Sequence, residues 1–271
     1  MDASQLSHVA LFRAIQDFDP KGDLFHELLR PWMEGEREWL MAFARQTTPA
    51  PIAIEDSWRL YALSRINQIL LMAFQQGTYD SWEGPPLTLP HYLAFMTGLG
   101  CRVVDEPAYS PFFHEIVEIV EADKTQPRKD YVDLARVDWP ALMIGPMLFS
   151  RAGVAVSCIA GKLRPEIAAS STLYWAHRRK FRRTSDLANG WGSNSQWRTR
   201  FRRDYVVEDK LLFNADGEYD LNDRALPASE DGLTRAERVE LLTHGCFVSC
   251  TKPDDDLFPY DDRILLPRDF Q

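Results

Sequence analysis

The chain has 271 residues, 45% of them hydrophobic and 12% aromatic, which is enough apolar material for a sizeable core and too much for a disordered chain. Its net charge of −9 argues against general affinity for nucleic acid or anionic lipid and suits a cationic partner. Four scattered cysteines make no disulfide framework, and the first residues show no secretory signal, so a cytoplasmic protein is expected.

Leu6, Val9, Ala10, Phe12 and Ile15 share one face of a first helix, and Lys21-Gly22 separates it from a second that begins near Asp23. That second helix must kink or divide at Pro31, and its Trp32, Trp39, Leu40 and Phe43 read as core anchors. A third runs from about Glu55 to Gln76, with Trp58, Tyr61, Ala62, Arg65, Ile66, Ile69, Leu70 and Ala73 at helical spacing. Pro90, in a first-turn position, opens a short helix over 91–98, and 101–104 reads as a short strand. Ser110 and Pro111 start a helix that turns Phe112, Ile116, Ile119 and Val120 inward and Glu115 and Glu118 to solvent. Two more helices are expected, one within 140–161 and one from Pro165 to about Phe181. The run 141–160 is long enough to span a bilayer, but Arg151 near its middle, two glycines and a proline assign it to the core.

After Asp186 the texture changes to Gly, Asn and Ser, residues that favour turns. Strand-like runs at 201–214 and 218–223 flank Ala215-Asp216-Gly217, which predicts a hairpin turning there. Thr234 and Glu237 form a capping box for a helix that buries Leu233, Ala236, Val239 and Leu242 and ends at Gly245. Residues 246–250 read as a strand with Cys246, Val248 and Cys250 on one side. The expected fold is α+β and predominantly α-helical. Residues 1–184 form a helical bundle, and 185–271 form a smaller mixed region with a β-hairpin, packed on it as one continuous unit.

Between His177 and Tyr205 the chain gathers nine of its 31 Lys and Arg residues: Arg178, Arg179, Lys180, Arg182, Arg183, Arg198, Arg200, Arg202 and Arg203. Trp191, Trp197 and Phe201 lie among them. One reading is a polyanion surface, in which guanidinium groups neutralise phosphates and aromatic rings stack on bases. The other is internal pairing with the acidic C-terminal segment, which holds seventeen Asp and Glu against seven Lys and Arg from Asp204 onward. The charge balance favours internal pairing, because such a segment competes for the same cations.

His244, Cys246 and Cys250 are zinc ligands by type, but no fourth ligand stands at a suitable spacing and no metal is expected. No nucleophile elbow, phosphate-binding loop, dinucleotide fingerprint or metalloprotease motif is present, and His114 reads as a half-buried residue. No catalytic residue and no cofactor is therefore assigned. The acidic tail is the expected partner-binding surface. There Asp254, Asp255, Asp256, Asp261 and Asp262 surround Phe258 and Tyr260, aromatic anchors within a carboxylate rim that would steer a basic protein.

Two stretches, GWGSNSQWRTRFRRDY at 190–205 and ELLTHGCFVSCTKPDDDLFPYDDR at 240–263, resemble segments of bacterial proteins encoded among toxin–antitoxin and contact-dependent competition loci. Through them the C-terminal third resembles immunity proteins of polymorphic toxins, including those of type VI secretion effectors. Such proteins are typically non-enzymatic and block the active site of a cognate toxin. The resemblance implies a cytoplasmic, acidic protein that neutralises an antibacterial toxin domain, itself basic, with no membrane partner. It assigns no individual binding residue. Two other classes stay open: a nucleic-acid-associated protein using 178–203, and an enzyme of unrecognised type built around His114, His177 or His244.

Overall fold

The computed structural model describes residues 6–45, 49–120, 132–158, 163–189, 195–223, 226, 232–250, 257 and 259–270. Four helices come first: α1 (His8–Gln16), α2 (Arg30–Ala44), α3 (Ile54–Leu70) and α4 (Leu89–Gly98). Ser7 caps α1 and Thr88 caps α4, each accepting a backbone N–H three residues on. Pro31 has no N–H to give to the carbonyl four residues back, and the chain absorbs this with a π-helical turn, Phe25–Leu29, leading into α2. The expected kink is thus a register shift inside a continuous helical segment.

Strands then dominate: β1 (Arg102–Val104), β2 (His114–Val120), β3 (Val132–Trp139), β4 (Ala141–Ile144), β5 (Met147–Ser150) and β6 (Ala152–Cys158). A single turn, α5 (Pro165–Ala168), precedes β7 (Leu173–Tyr174), β8 (Thr184–Ser185), β9 (Asp204–Val207), β10 (Lys210–Phe213) and β11 (Tyr219–Asp220). The chain closes with α6 (Arg235–His244) and β12 (Asp262–Pro267). Seven strands form one sheet in the order β1-β4-β5-β9-β10-β12-β11, and β2-β6-β3 form a second of three. The large sheet takes strands from both sides of position 185.

Successive residues of β4 and β5 point to opposite faces of the large sheet. Leu142, Ile144, Met147 and Phe149 join the core made by α1 to α4, whereas Ala141, Met143 and Leu148 join a second core with Phe112, Ile116, Val154 and Val156. At β4 and β5 the sheet is therefore a middle layer, buried on both sides, with helices on one face and the three-stranded sheet on the other.

The predominantly helical expectation is overturned by these sheets. The helix expected after Pro111 is β2, and the helix expected in 140–161 is three strands, β4 to β6. A strand covered on both faces shows no polar alternation, so its apolar run looks the same as a buried helix. Of the helix expected from Pro165 to Phe181, one turn forms. The hairpin also lies elsewhere. β9 turns into β10 at Glu208-Asp209, with Glu208 at φ 54, while the segment after Asp216-Gly217 forms β11, which runs parallel to β12. Residues 246–250 form no strand. The capping box at Thr234 and Glu237 and the left-handed Gly245 end cap form as expected, although Ala236 faces solvent.

Trp139 is the largest fully buried side chain, and its indole lies over Gly153, directly opposite it on β6. A Cβ at position 153 would overlap that ring. Gly153→Ala should therefore destabilise the protein by about 1–3 kcal/mol through overpacking, read as a lower urea midpoint with little change in slope. An unchanged midpoint would mean that Trp139 is not wedged against this strand.

Candidate functional site

Twelve residues of α3 from Ser57 to Leu70 are buried, so its polar side chains must find partners inside the protein. Asn67 donates to the Ser150 hydroxyl at 3.0 Å and accepts from the Tyr92 hydroxyl at 2.7 Å. Gln68 accepts the His177 N–H at 2.5 Å and an Arg179 N–H at 3.3 Å. The Tyr61 hydroxyl donates to Asp186 at 2.6 Å, and the Arg65 guanidinium lies beside His177 at 2.9 Å. This polar side of α3 faces the end of β5, the start of β2 and the irregular segment 173–187.

These elements enclose a cleft of about 120 Å³. Arg151, Arg179, Arg200 and Arg202 line it together with Glu115, Asp186 and Asp204, and Ser64, Asn67, Gln68 and Ser150 supply neutral polar groups. Each carboxylate is engaged. Glu115 holds Arg179 in a buried bidentate pair at 2.6 and 2.9 Å. Asp186 accepts from Tyr61 and from the Ala188 N–H, and Asp204 accepts from Arg202 and from the Asn214 N–H. Arg202 also donates to the Leu242 carbonyl and stacks on Trp175 at 3.9 Å. Trp175 sits in the left-handed region, φ 57, which is strained for a bulky residue.

Among the arginines that line the cleft, Arg151 stands apart. Its Nη2 is buried with no hydrogen-bond partner, and the nearest carboxylate oxygen, on Asp204, is 3.8 Å away. Burial, then the neighbouring Arg202 cation, pull its pKa down to about 10. Arg200, which also lines the cleft, is exposed and forms no ion pair among the described residues.

Scans against protein-family models, curated proteins and solved structures found no match for this chain.

The basic block is paired internally, and among the described residues Arg178, Arg179 and Lys180 take partners that precede the block in the chain. Arg178 binds Asp80 at 2.5 and 2.6 Å, Arg179 binds Glu115, and Lys180 donates to the Glu83 carbonyl at 2.8 Å. Arg182 is fully buried against the Ala168 carbonyl, and Arg183 donates to the Thr172 hydroxyl at 2.8 Å. In the second half Arg202 meets Asp204 and Arg203 meets Asp216. Arg198 is exposed over Trp58, and Trp197 packs on Phe12 and beneath Arg65.

In the expected acidic interface, Asp262 is buried under Arg238, with Nε to Oδ2 at 2.9 Å. Tyr260 is half-buried, edge-on to Trp175 at 5.0 Å, and Asp261 is exposed. Asp254, Asp255, Asp256, Phe258 and Trp191 lie outside the described residues. Glu115, expected at the solvent side, is buried. Cys246 is buried and Cys250 donates to Glu237 at 3.3 Å. No helix among the described residues is long and apolar enough to cross a membrane.

His114, His177 and His244 do not line the cleft. Burial holds all three neutral, lowering their pKa values from 6.5 to about 4, about 3 and about 4. Each takes up a proton more readily once unfolded, so between pH 6.5 and about 4 the unfolded chain binds more protons than the folded one. Their contribution to stability is complete above pH 6.5 and is lost as pH falls through that window. Urea midpoints measured from pH 7 down to about 4.5 at constant ionic strength should fall steadily, and a flat profile would show that these imidazoles are not desolvated.

Proposed function

We propose that this protein works by binding another protein, as a cytoplasmic, non-enzymatic immunity protein that neutralises a cognate antibacterial toxin domain. The resemblance of segments 190–205 and 240–263 to proteins of toxin-competition loci suggests the class. The observation that carries the reading is the internal use of the basic block. With Arg178, Arg179, Arg202 and Arg203 bound to Asp80, Glu115, Asp204 and Asp216, those cations do not form a continuous outward strip. The surplus negative charge lies outside instead, with Glu34, Glu38, Glu208, Asp209, Glu218 and Asp261 all exposed. An acidic exterior of this kind steers a basic partner and disfavours a polyanion.

The same arrangement weakens the nucleic-acid reading, because a guanidinium already held by a buried carboxylate cannot neutralise a phosphate without breaking that pair.

Co-expression with the toxin domain encoded beside its gene should restore growth, and the two proteins should purify as a complex whose association slows as salt rises. The protein alone should not be retained on immobilised DNA or RNA at about 50 mM salt. Continued toxicity with no complex formed, or salt-sensitive retention on nucleic acid, would overturn the proposal.

A further inference from the structure

The arginine-lined cleft serves no purpose in an interaction through an acidic exterior, yet its construction is specific. Four arginines line it, against three lining carboxylates that are already engaged. Cations therefore outnumber anions. The imbalance falls on Arg151, whose buried Nη2 has no hydrogen-bond acceptor. A buried guanidinium N–H without an acceptor is costly, because its hydration has been given up without replacement.

Size narrows what could restore the balance. A single water needs about 10–15 Å³ of such space, so a cleft of about 120 Å³ holds a small polyatomic group and not a polymer. Guanidinium groups present forked donors that match the oxygens of carboxylate and phosphate. Arg151 and Arg200 both line the space, as do Ser64 and Ser150, whose hydroxyls are engaged by the Tyr61 carbonyl and by Asn67. Arg202 is fixed between Asp204 and Trp175, so it contributes positive potential without moving.

We propose that this cleft is a binding site for a small oxyanion group, carboxylate or phosphate, held by Arg151 and Arg200. The site is separate from the outward acidic surface and does not depend on the protein-binding reading.

Calorimetry and thermal unfolding of the full chain, with inorganic phosphate, acetate or chloride at matched ionic strength, test this. Phosphate or acetate should raise the unfolding temperature above the chloride control and give a saturable one-site isotherm. A response to phosphate alone identifies a phosphoryl site, and a response to acetate alone a carboxylate site. Arg200→Gln, an exposed change that leaves the fold intact, should weaken binding about tenfold or more, and Arg151→Gln should abolish it. Arg13→Gln, exposed on α1 away from the cleft, should bind as the parent does. If Arg151→Gln fails to fold, Arg200→Gln decides. The proposal is overturned if neither anion does more than chloride, or if Arg200→Gln binds as tightly as Arg13→Gln.

Discussion

The buried bidentate pair between Arg179 and Glu115 is the junction on which the polar interior depends. It ties the irregular segment 177–183 to the start of β2, and through Gln68 it reaches α3. A buried ion pair adds little net stability, because two desolvation costs offset the attraction, but losing one partner costs about 3–5 kcal/mol. The pair therefore specifies an arrangement more than it strengthens one. Arg178 on Asp80, the Lys180 N–H on Gln75 and the Tyr79 N–H on the Lys180 carbonyl pin the same segment to the loop after α3. Long basic side chains thus anchor a stretch with little regular secondary structure of its own.

How much of this was legible in the sequence depended on the kind of interaction. The first four helices were readable because their signals are local: Ser7 and Thr88 cap α1 and α4, and apolar residues recur at helical spacing along α1 to α3. The capping box at Thr234 was readable for the same reason. β4 to β6 were misread because both faces are covered, which removes the polar alternation, and β2 was misread because its apolar residues also fit a helical spacing. Two signals could have corrected this. Ile116, Val117, Ile119 and Val120 are β-branched, and Gly145-Pro146 joins β4 to β5 as a two-residue turn with Gly145 at φ 56.

The candidate site was legible only by half. Charge counting located the basic block and its internal pairing, but not which carboxylates it meets. Asp80 and Glu115 lie 98 and 64 residues from their arginines, and only the topology brings them together. Arg151 was visible as a lone cation in a twenty-residue apolar run. Its position excluded a membrane span, and the same desolvation cost also requires a partner for a buried cation, which is the sign of a site.

Arg and Trp are both abundant in this chain, and the structure uses them together. A guanidinium has a weakly hydrated face that accepts an aromatic ring and an edge of N–H groups that needs acceptors. Arg178 has Trp82 on its face and Asp80 at its edge, and Arg202 has Trp175 and Asp204. Arg59 has Trp39 and Glu36. Each of these three cations is engaged at both its face and its edge. Arg151 breaks the pattern: among the described residues no ring covers its face, and its Nη2 has no acceptor. The internal means by which this fold neutralises a buried guanidinium stop short at that residue, as they do at Arg182, whose Nε and Nη1 also lack acceptors; of the two, Arg151 lines the cleft.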